Sequence, residues 1–349
     1  RVVCYFDSWS LTRTGDDQYR IEDIDPSLCT HVIYAFADLA SDGTIQVGDP
    51  STDLPSGLDG YNRLNLLKQQ NPNLKTLISI GGEDAGSAIF SRVFNSEELR
   101  AMFVDNAVIF VEENGFDGLD IDWEFPGEGT GSSTSDKVAF TDTLVDLRTR
   151  FTPLGLLLTV ACSSPSYFLS GSYDVPSIAE NVDFINLMTY DFHSSSELTT
   201  GLNAPLYARE GDAVKELNVN AGVENWLNNG APAEKIVLGM GFFGNAFTLR
   251  HPSDNGVGAP ALGPAPGTEG ILRYSQGPIH DHACMTVIVN VGVTVLRRSS
   301  GPTYGGRVRS GPAHVSYELA LDCLCHLLKI LSGRLHGASP GQYDGRVPA

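Results

Sequence analysis

Short runs of β-branched and aromatic residues recur along the chain, with longer amphipathic stretches between them. The runs predict strands over 2–6, 31–37, 75–80, 118–123, 156–161, 184–189 and 235–241. Their starts lie 28 to 51 residues apart. That spacing leaves room for a helix after each strand, as repeated βα units and a parallel sheet require. One intervening helix is well marked. Asn95 is placed to cap it and Glu98 follows three residues later, as in a capping box. Leu99, Met102, Phe103, Ala107, Phe110 and Val111 then recur at helical spacing, and Gly115 ends the helix. The pattern predicts an α/β chain whose parallel strands close into a (β/α)8 barrel. Seven strands are visible and the eighth has no assigned place.

The tail changes character. Residues 277–349 carry 7 Lys+Arg and 4 Asp+Glu, so the remaining 276 residues carry 16 and 38. Five of the eight histidines and three of the six cysteines also lie there. Within it, 285–296 could form a strand and 318–332 has a helical apolar pattern. They could stand in as a closing strand and helix, or the tail could be unrelated to the barrel. A cluster of His280, His282, Cys284, Cys323, Cys325 and His326 offers zinc-ligating side chains, at spacings poor for the metal.

Charge narrows the function. The net charge of −19 argues against nucleic acid and against an anionic membrane surface, while a neutral substrate is compatible with it. No apolar run approaches the 18 residues of a bilayer span. The first residue is Arg1, which reads as a mature form whose signal peptide, if any, is already gone.

The candidate chemistry is concentrated in "FDGLDIDWEFPG", residues 116–127, with four carboxylates at Asp117, Asp120, Asp122 and Glu124. Strand side chains alternate faces, so Asp120, Asp122 and Glu124 share one face and Leu119, Ile121 and Trp123 the other. Asp117 is off that line, near the start of the strand. Barrel chemistry belongs at the C-terminal strand ends, so Glu124 should stand at the mouth with Asp122 and then Asp120 beneath it. Stacked carboxylates cannot all ionise. A proton shared by Asp120 and Asp122 could move as charge develops nearby, and Glu124 with a raised pKa could act as a general acid. A Ca²⁺ or Mg²⁺ site uses alternating acids too, but on loops, and the apolar residues between these acids read as buried strand.

This stretch resembles the D-x-x-D-x-D-x-E signature of the family 18 glycoside hydrolases, the animal-type chitinases. "VVCYFDSW", "THVIYAFA", "KTLISIGG", "YDVPSIAENVDFINLMTYDFH" and "KIVLGMGFFGNAFTL" follow the same family's strands one, two, three, six and seven in order. "GVGAPALGP" resembles the start of the α+β domain inserted after strand seven. The resemblance therefore implies a TIM barrel over 1–249, a truncated or atypical insertion starting over 250–276, and an atypical tail over 277–349. It implies a secreted, extracellular, monomeric endo-chitinase acting on chitin or chitooligosaccharides, with no metal and no organic cofactor. The family reaction is substrate-assisted, the acetamido oxygen of the sugar acting as nucleophile. Carried over, Glu124 is the general acid and base, Asp122 orients the acetamido group, Asp120 shares a proton with Asp122, and Tyr190 bonds the acetamido carbonyl. Asp191 contacts sugar hydroxyls. Met188, Tyr5, Phe36 and Phe243 line the pocket, and Asp117 is structural. Cys4 and Cys29 match a disulfide common in animal members.

The chain also departs from the family. Glu83 follows "SIGG" where Trp is usual, Ser194, Ser195 and Ser196 stand where Gly-x-Trp is frequent, and Phe243 and Asn245 replace Tyr and Arg. Trp occurs only at positions 9, 123 and 226. Sugar rings are gripped by aromatic faces. An intact acid row with a depleted stacking surface predicts preserved chemistry and a weaker hold on substrate. The competing expectation is a lectin-like chitin binder of little turnover, and a third is a hydrolase of a related substrate such as the chitobiose core of N-glycans.

Overall fold

The computed structural model describes residues 1–268, 270–273 and the strand 286–289. Its strands are β1 Val2–Asp7, β2 His31–Leu39, β3 Ile45–Gln46, β4 Lys75–Gly81, β5 Gly118–Asp122, β6 Leu157–Ser163, β7 Phe184–Met188 and β8 Ile236–Met240. They are followed by β9 Phe243–Asn245, β10 Phe247–Leu249, β11 Ala261–Pro264, β12 Ile271–Arg273 and β13 Thr286–Val289. Seven of them, β1, β2, β4, β5, β6, β7 and β8, pair in parallel around a barrel. All seven sequence-predicted strands are found, each within one or two residues of its expected ends. The ring closes through β13, which pairs antiparallel with both β1 and β8, Val2 opposite Val289 and Met240 opposite Val287. A (β/α)8 barrel with all strands parallel needs a crossover before the last strand. Here the last strand runs the other way. The helical pattern over 318–332 and the His/Cys cluster lie outside the described residues.

Alternation along the strands sorts the barrel into two apolar compartments. Val3, Tyr5, Ile33, Ala35, Leu77, Phe184 and Val237 form a small cluster inside the barrel. The intervening residues, among them Cys4, Val32, Ile78, Leu119, Ile121, Val160 and Leu187, join the larger cluster between sheet and helices. Trp123 belongs to that outer layer. It is 1% exposed, stacks on Phe90 with ring centroids 5.5 Å apart, and meets Phe94 and Phe140 edge-on. The two faces of β5 are thereby fixed. Burying its outward Leu119 and Ile121, each worth about 2 kcal/mol, forces Asp120 and Asp122 inward.

The helix Glu97–Glu113 corrects one expectation. Ser96, not Asn95, is its cap, accepting from the Leu99 amide. Asn95 ends the preceding helix and donates to Ser91 and Asp136. Met102, expected on the apolar face, is 51% exposed, and Val104 and Val108 are buried instead. After β8 the chain forms two short antiparallel pairs, β10 with β11 and β9 with β12. The disulfide Cys4–Cys29 ties β1 to the segment before β2. No helix of the described residues is long and apolar enough to cross a membrane.

Candidate active site

The deepest member of the acid row is also the best satisfied. Asp120 is fully buried, and its carboxylate accepts four hydrogen bonds from four different strands. Tyr5 Oη (2.9 Å) and Ser79 Oγ (2.8 Å) donate to Oδ2, while Thr159 Oγ1 (2.5 Å) and Asn186 Nδ2 (3.2 Å) donate to Oδ1. Asn186 also donates to the Tyr5 oxygen at 2.8 Å. Burial pushes the Asp120 pKa up, and the four bonds pull against it. All four donors are neutral groups whose geometry suits an ionised acceptor. The row is thus anchored by a buried carboxyl held from four strands.

Asp122 is treated differently. It is 6% exposed, and its Oδ1 has no hydrogen-bond partner. Burial, the Glu124 charge and the Asp120 charge all push its pKa well above the carboxylate range. A buried carboxylate with an unpartnered oxygen, beside two other acids, is shifted toward its protonated form.

Glu124 lies just past the end of β5, at the mouth. Burial first, then the charges of Glu83 and Asp191, push its pKa from 4.5 to about 7. It lines a cleft of about 440 Å³ together with Glu83, Met188, Tyr190, Asp191 and Asn245, among others. Every charged residue lining that cleft is an acid. Tyr190 is half-buried, with its hydroxyl pKa raised by burial and by Asp122, Glu124 and Asp191, so it remains an O–H donor. Asp191 has φ 54°, a left-handed conformation that aspartate tolerates better than most residues. Its amide donates to Asn203 Oδ1 at 3.0 Å, and Asn245 Nδ2 reaches its Oδ1 at 3.4 Å. Burial and Glu83 raise its pKa to about 6, against the Asn245 bond.

Two glycines explain how Glu83 reaches the cleft. Gly81 and Gly82 have φ of 113° and 82°. A Cβ on Gly81 would stand 2.0 Å from the Asp122 carbonyl oxygen, and one on Gly82 would stand 2.7 Å from the Phe36 ring. The Gly82 amide donates to that same Asp122 carbonyl at 2.9 Å. The "SIGG" turn is thus bound to the backbone of the acid strand, and the residue after it is delivered beside Glu124.

Glu124, Tyr190, Asp191 and Met188 line the cleft, with Asp122, Asp120 and Tyr5 below it. Phe36 and Phe243 are not among its lining residues. Phe36 stacks on Trp9 at 6.0 Å, and Phe243 packs edge-on against Tyr190 at 5.8 Å. Asp117 is at the other end of β5. It pairs with Lys68 (2.9 Å) and Lys75 (3.2 Å) and accepts from the Thr76 amide. Burial would raise its pKa, but the Thr76 amide and Lys68 outweigh it and hold the carboxyl below its usual range. Sequence reasoning missed Ser79, Thr159 and Asn186. Each is a polar residue inside an apolar strand run on the inward face, and that was the available signal. It also missed Phe125, Tyr167 and Phe168, which line the cleft. Among the described residues no group of His, Cys, Asp and Glu is arranged to hold a metal ion.

The chain matches the family described as Glycosyl hydrolases family 18 over residues 1–286. It is 46% identical over 292 residues to Chitotriosidase-1 of Mus musculus, covering 79% of this chain and 61% of the mouse protein. It spans less than two thirds of the length of the curated relatives it matches. Among solved structures it resembles the Group IV chitinase of Ostrinia furnacalis in complex with allosamidin. That match has a TM-score of 0.76 and 39% identity, over 78% of this chain and 75% of that one. It also resembles human YKL-39, described as a pseudo-chitinase with retained chitooligosaccharide binding properties. There the TM-score is 0.71 and the identity 35%, over 78% and 76% of the two chains.

Proposed function

The chain belongs to glycosyl hydrolase family 18, and from that premise we propose that it is a secreted chitinase that cleaves β-1,4-linked N-acetylglucosamine polymers with retention of configuration. The observation that carries the proposal is the graded setting of the inward row: Asp120 accepts four hydrogen bonds, Asp122 is buried with one oxygen unpartnered and its pKa raised, and Glu124 is raised to about 7. Glu124 gives its proton to the glycosidic oxygen as the bond to the anomeric carbon breaks. The acetamido carbonyl oxygen of the same sugar attacks that carbon, forming a cyclic oxazolinium ion. Asp122 turns its free oxygen to the acetamido N–H. Its proton passes toward Asp120 as positive charge develops, so the pair's negative charge faces the oxazolinium. Tyr190 donates its hydroxyl hydrogen to the acetamido carbonyl, and Asp191 accepts from sugar hydroxyls. Water then enters. Glu124, now a carboxylate, takes its proton, and the hydroxyl opens the ring from the face the leaving group left. No metal or organic cofactor is needed for any of these proton movements.

The acid row separates this reading from simple binding, while the cleft wall favours a second one. Glu83 replaces a ring with a charge beside the general acid, and one relative of similar fold is described as a pseudo-chitinase. A protein that holds chitooligosaccharides with little turnover is the alternative. The Cys4–Cys29 bond supports an oxidising, extracellular setting for either. The deciding experiment measures release of fluorophore from chitobiose and chitotriose glycosides by the parent and by Glu124→Gln. General acid catalysis predicts a fall of roughly 10³-fold in kcat. A parent as silent as the variant, with both still titrating oligosaccharide, would establish the binder instead. Product sizes from a hexamer test the endo mode.

A further inference from the structure

A chain of aromatic rings runs from the catalytic acid to the protein surface. Phe125 directly follows Glu124. Its ring lies 4.7 Å from that of Phe168, tilted by 58°, and Phe168 lies 4.6 Å from Tyr167, tilted by 38°. All three line the same cleft as Glu124. Exposure rises along the series: Phe125 and Phe168 are half-buried and Tyr167 is 58% exposed. Tyr167 is carried on the short helix Ser166–Ser172 at the end of β6, and the helix is held at both ends. Ser166 Oγ bonds the Glu216 carboxylate, and Lys137 Nζ donates to the Ser170 carbonyl at 3.1 Å.

A single exposed tyrosine is ordinary on a protein surface. This one is not single. Its ring leans on a second ring, which leans on a third beside the reacting group, so an exposed apolar face is continuous with the floor of the cleft. The barrel order separates it from the other aromatic pair at the mouth. Trp9 follows β1 and Phe36 stands on β2, Glu83 and Glu124 follow β4 and β5, and Tyr167 follows β6. The two ring pairs therefore flank the acids. Elsewhere the wall carries acids at Glu83 and Asp191 and the short polar run Ser194 to Ser196, and its other rings, Tyr190 and Phe192, are less exposed than Tyr167.

We propose that Tyr167, backed by Phe168 and Phe125, is a stacking platform for a pyranose ring of the sugar chain, on the side of the cleaved bond opposite Trp9 and Phe36. The apolar C–H face of an N-acetylglucosamine unit lies on the exposed tyrosine ring, and the platform replaces grip that Glu83 and the serines do not supply. The inference rests on the proposed substrate class, and its selectivity is for length. A hexamer long enough to pass Glu124 and reach Tyr167 uses the platform. A dimer held at the floor does not.

The test uses the Glu124→Gln background, where binding is read without turnover, so it does not depend on whether the parent is an active enzyme. Dimer and hexamer of N-acetylglucosamine are titrated calorimetrically into that protein and into its Tyr167→Ala, Tyr167→Phe and Tyr167→Trp derivatives. The platform predicts that Tyr167→Ala weakens hexamer binding roughly tenfold, the size of one lost ring contact, with dimer binding unchanged. Tyr167→Phe and Tyr167→Trp restore it, because the ring and not the hydroxyl is what binds. Thermal unfolding midpoints should agree across the set, since the residue is exposed. Equal hexamer affinity for Tyr167→Ala and its parent would overturn the proposal. So would an equal loss for dimer and hexamer. If no variant binds either oligomer, the substrate class is wrong and this inference falls with it.

Discussion

The floor of the cleft and its rim are built on different terms. At the floor, Asp120 receives four hydrogen bonds from residues on β1, β4, β6 and β7, and nothing there is open to solvent. At the rim, Glu83 is exposed, Ser194 and Ser196 bond one another, and Tyr167 offers a bare ring. A buried charge tolerates no substitution that leaves a donor or acceptor alone, because each orphan costs 1–3 kcal/mol. A rim residue is solvated either way and can change at small cost. The chemistry that needs a dry preorganised field is thus held by the part of the molecule least free to vary, and grip is assigned to the part that is. A fixed acid row at the floor can therefore coexist with a rim that is free to change.

The largest effect that would break this division comes from Asp120→Asn. The amide can accept at one position only, so donors among Tyr5, Ser79 and Thr159 would face an N–H₂ group. The negative charge that draws the proton from Asp122 is lost as well. The expected result is a fall in kcat of roughly 10²-fold or more with KM nearly unchanged, since the residue touches no substrate. Steady-state kinetics on a chitotriose glycoside read it. A rise in KM with kcat intact would mean that the floor serves binding and the division is wrong.

The same contrast sets what could be read before the fold was known. Period-two alternation made the row Asp120, Asp122, Glu124 legible, because the apolar partners Leu119, Ile121 and Trp123 can be buried only on the outer layer. The seven parallel strands were legible for the same reason. Contacts across the barrel were not. The donors to Asp120 stand 39 to 115 residues away in sequence. No local pattern says that Asn186 should face Tyr5. The helix cap was misread because Asn95 and Ser96 are both good capping residues. Asn95 is drawn off by Asp136, 41 residues on, leaving the cap to Ser96. Tyr167 was passed over because a search for tryptophan at familiar places does not find a tyrosine on another turn. The antiparallel sense of β13 was beyond reach too, since an isolated apolar run carries no direction.

A second effect concerns stability and is of moderate size. The Glu124 pKa is raised from 4.5 to about 7, chiefly by burial and then by Glu83 and Asp191. Between those values the folded protein binds more protons than the unfolded chain. Its stability therefore falls as pH rises through that window. The protonated side chain is fully favoured below pH 4.5, and the advantage is gone above about 7. Glutamine has the shape of the protonated acid and cannot ionise. Glu124→Gln should gain on the parent by up to about 3 kcal/mol on going from pH 4 to pH 8. Urea unfolding at both pH values measures it. An identical difference at the two would show that Glu124 is not held in a dry, acidic setting.

The smallest effect tests the one place where rim and floor meet. Glu83 belongs to the rim by exposure, yet its charge contributes to the raised pKa of Glu124 and of Asp191. Glu83→Gln removes that charge and changes little else, because the side chain is exposed. Burial, the larger cause, remains. The basic limb of the kcat profile should therefore move to lower pH by a few tenths of a unit, an effect screened by salt as for any solvated charge. Burial and Asp191 still act on Glu124, so the limb should not fall to the value of a free glutamate. Measured at low and at high ionic strength, the difference between parent and variant should shrink with added salt. A limb that stays put at low salt would confine the rim to binding alone. A limb that moves would make the residue after "SIGG" a device by which an exposed turn adjusts the working pH of a buried acid, in exchange for a ring that would have gripped the sugar.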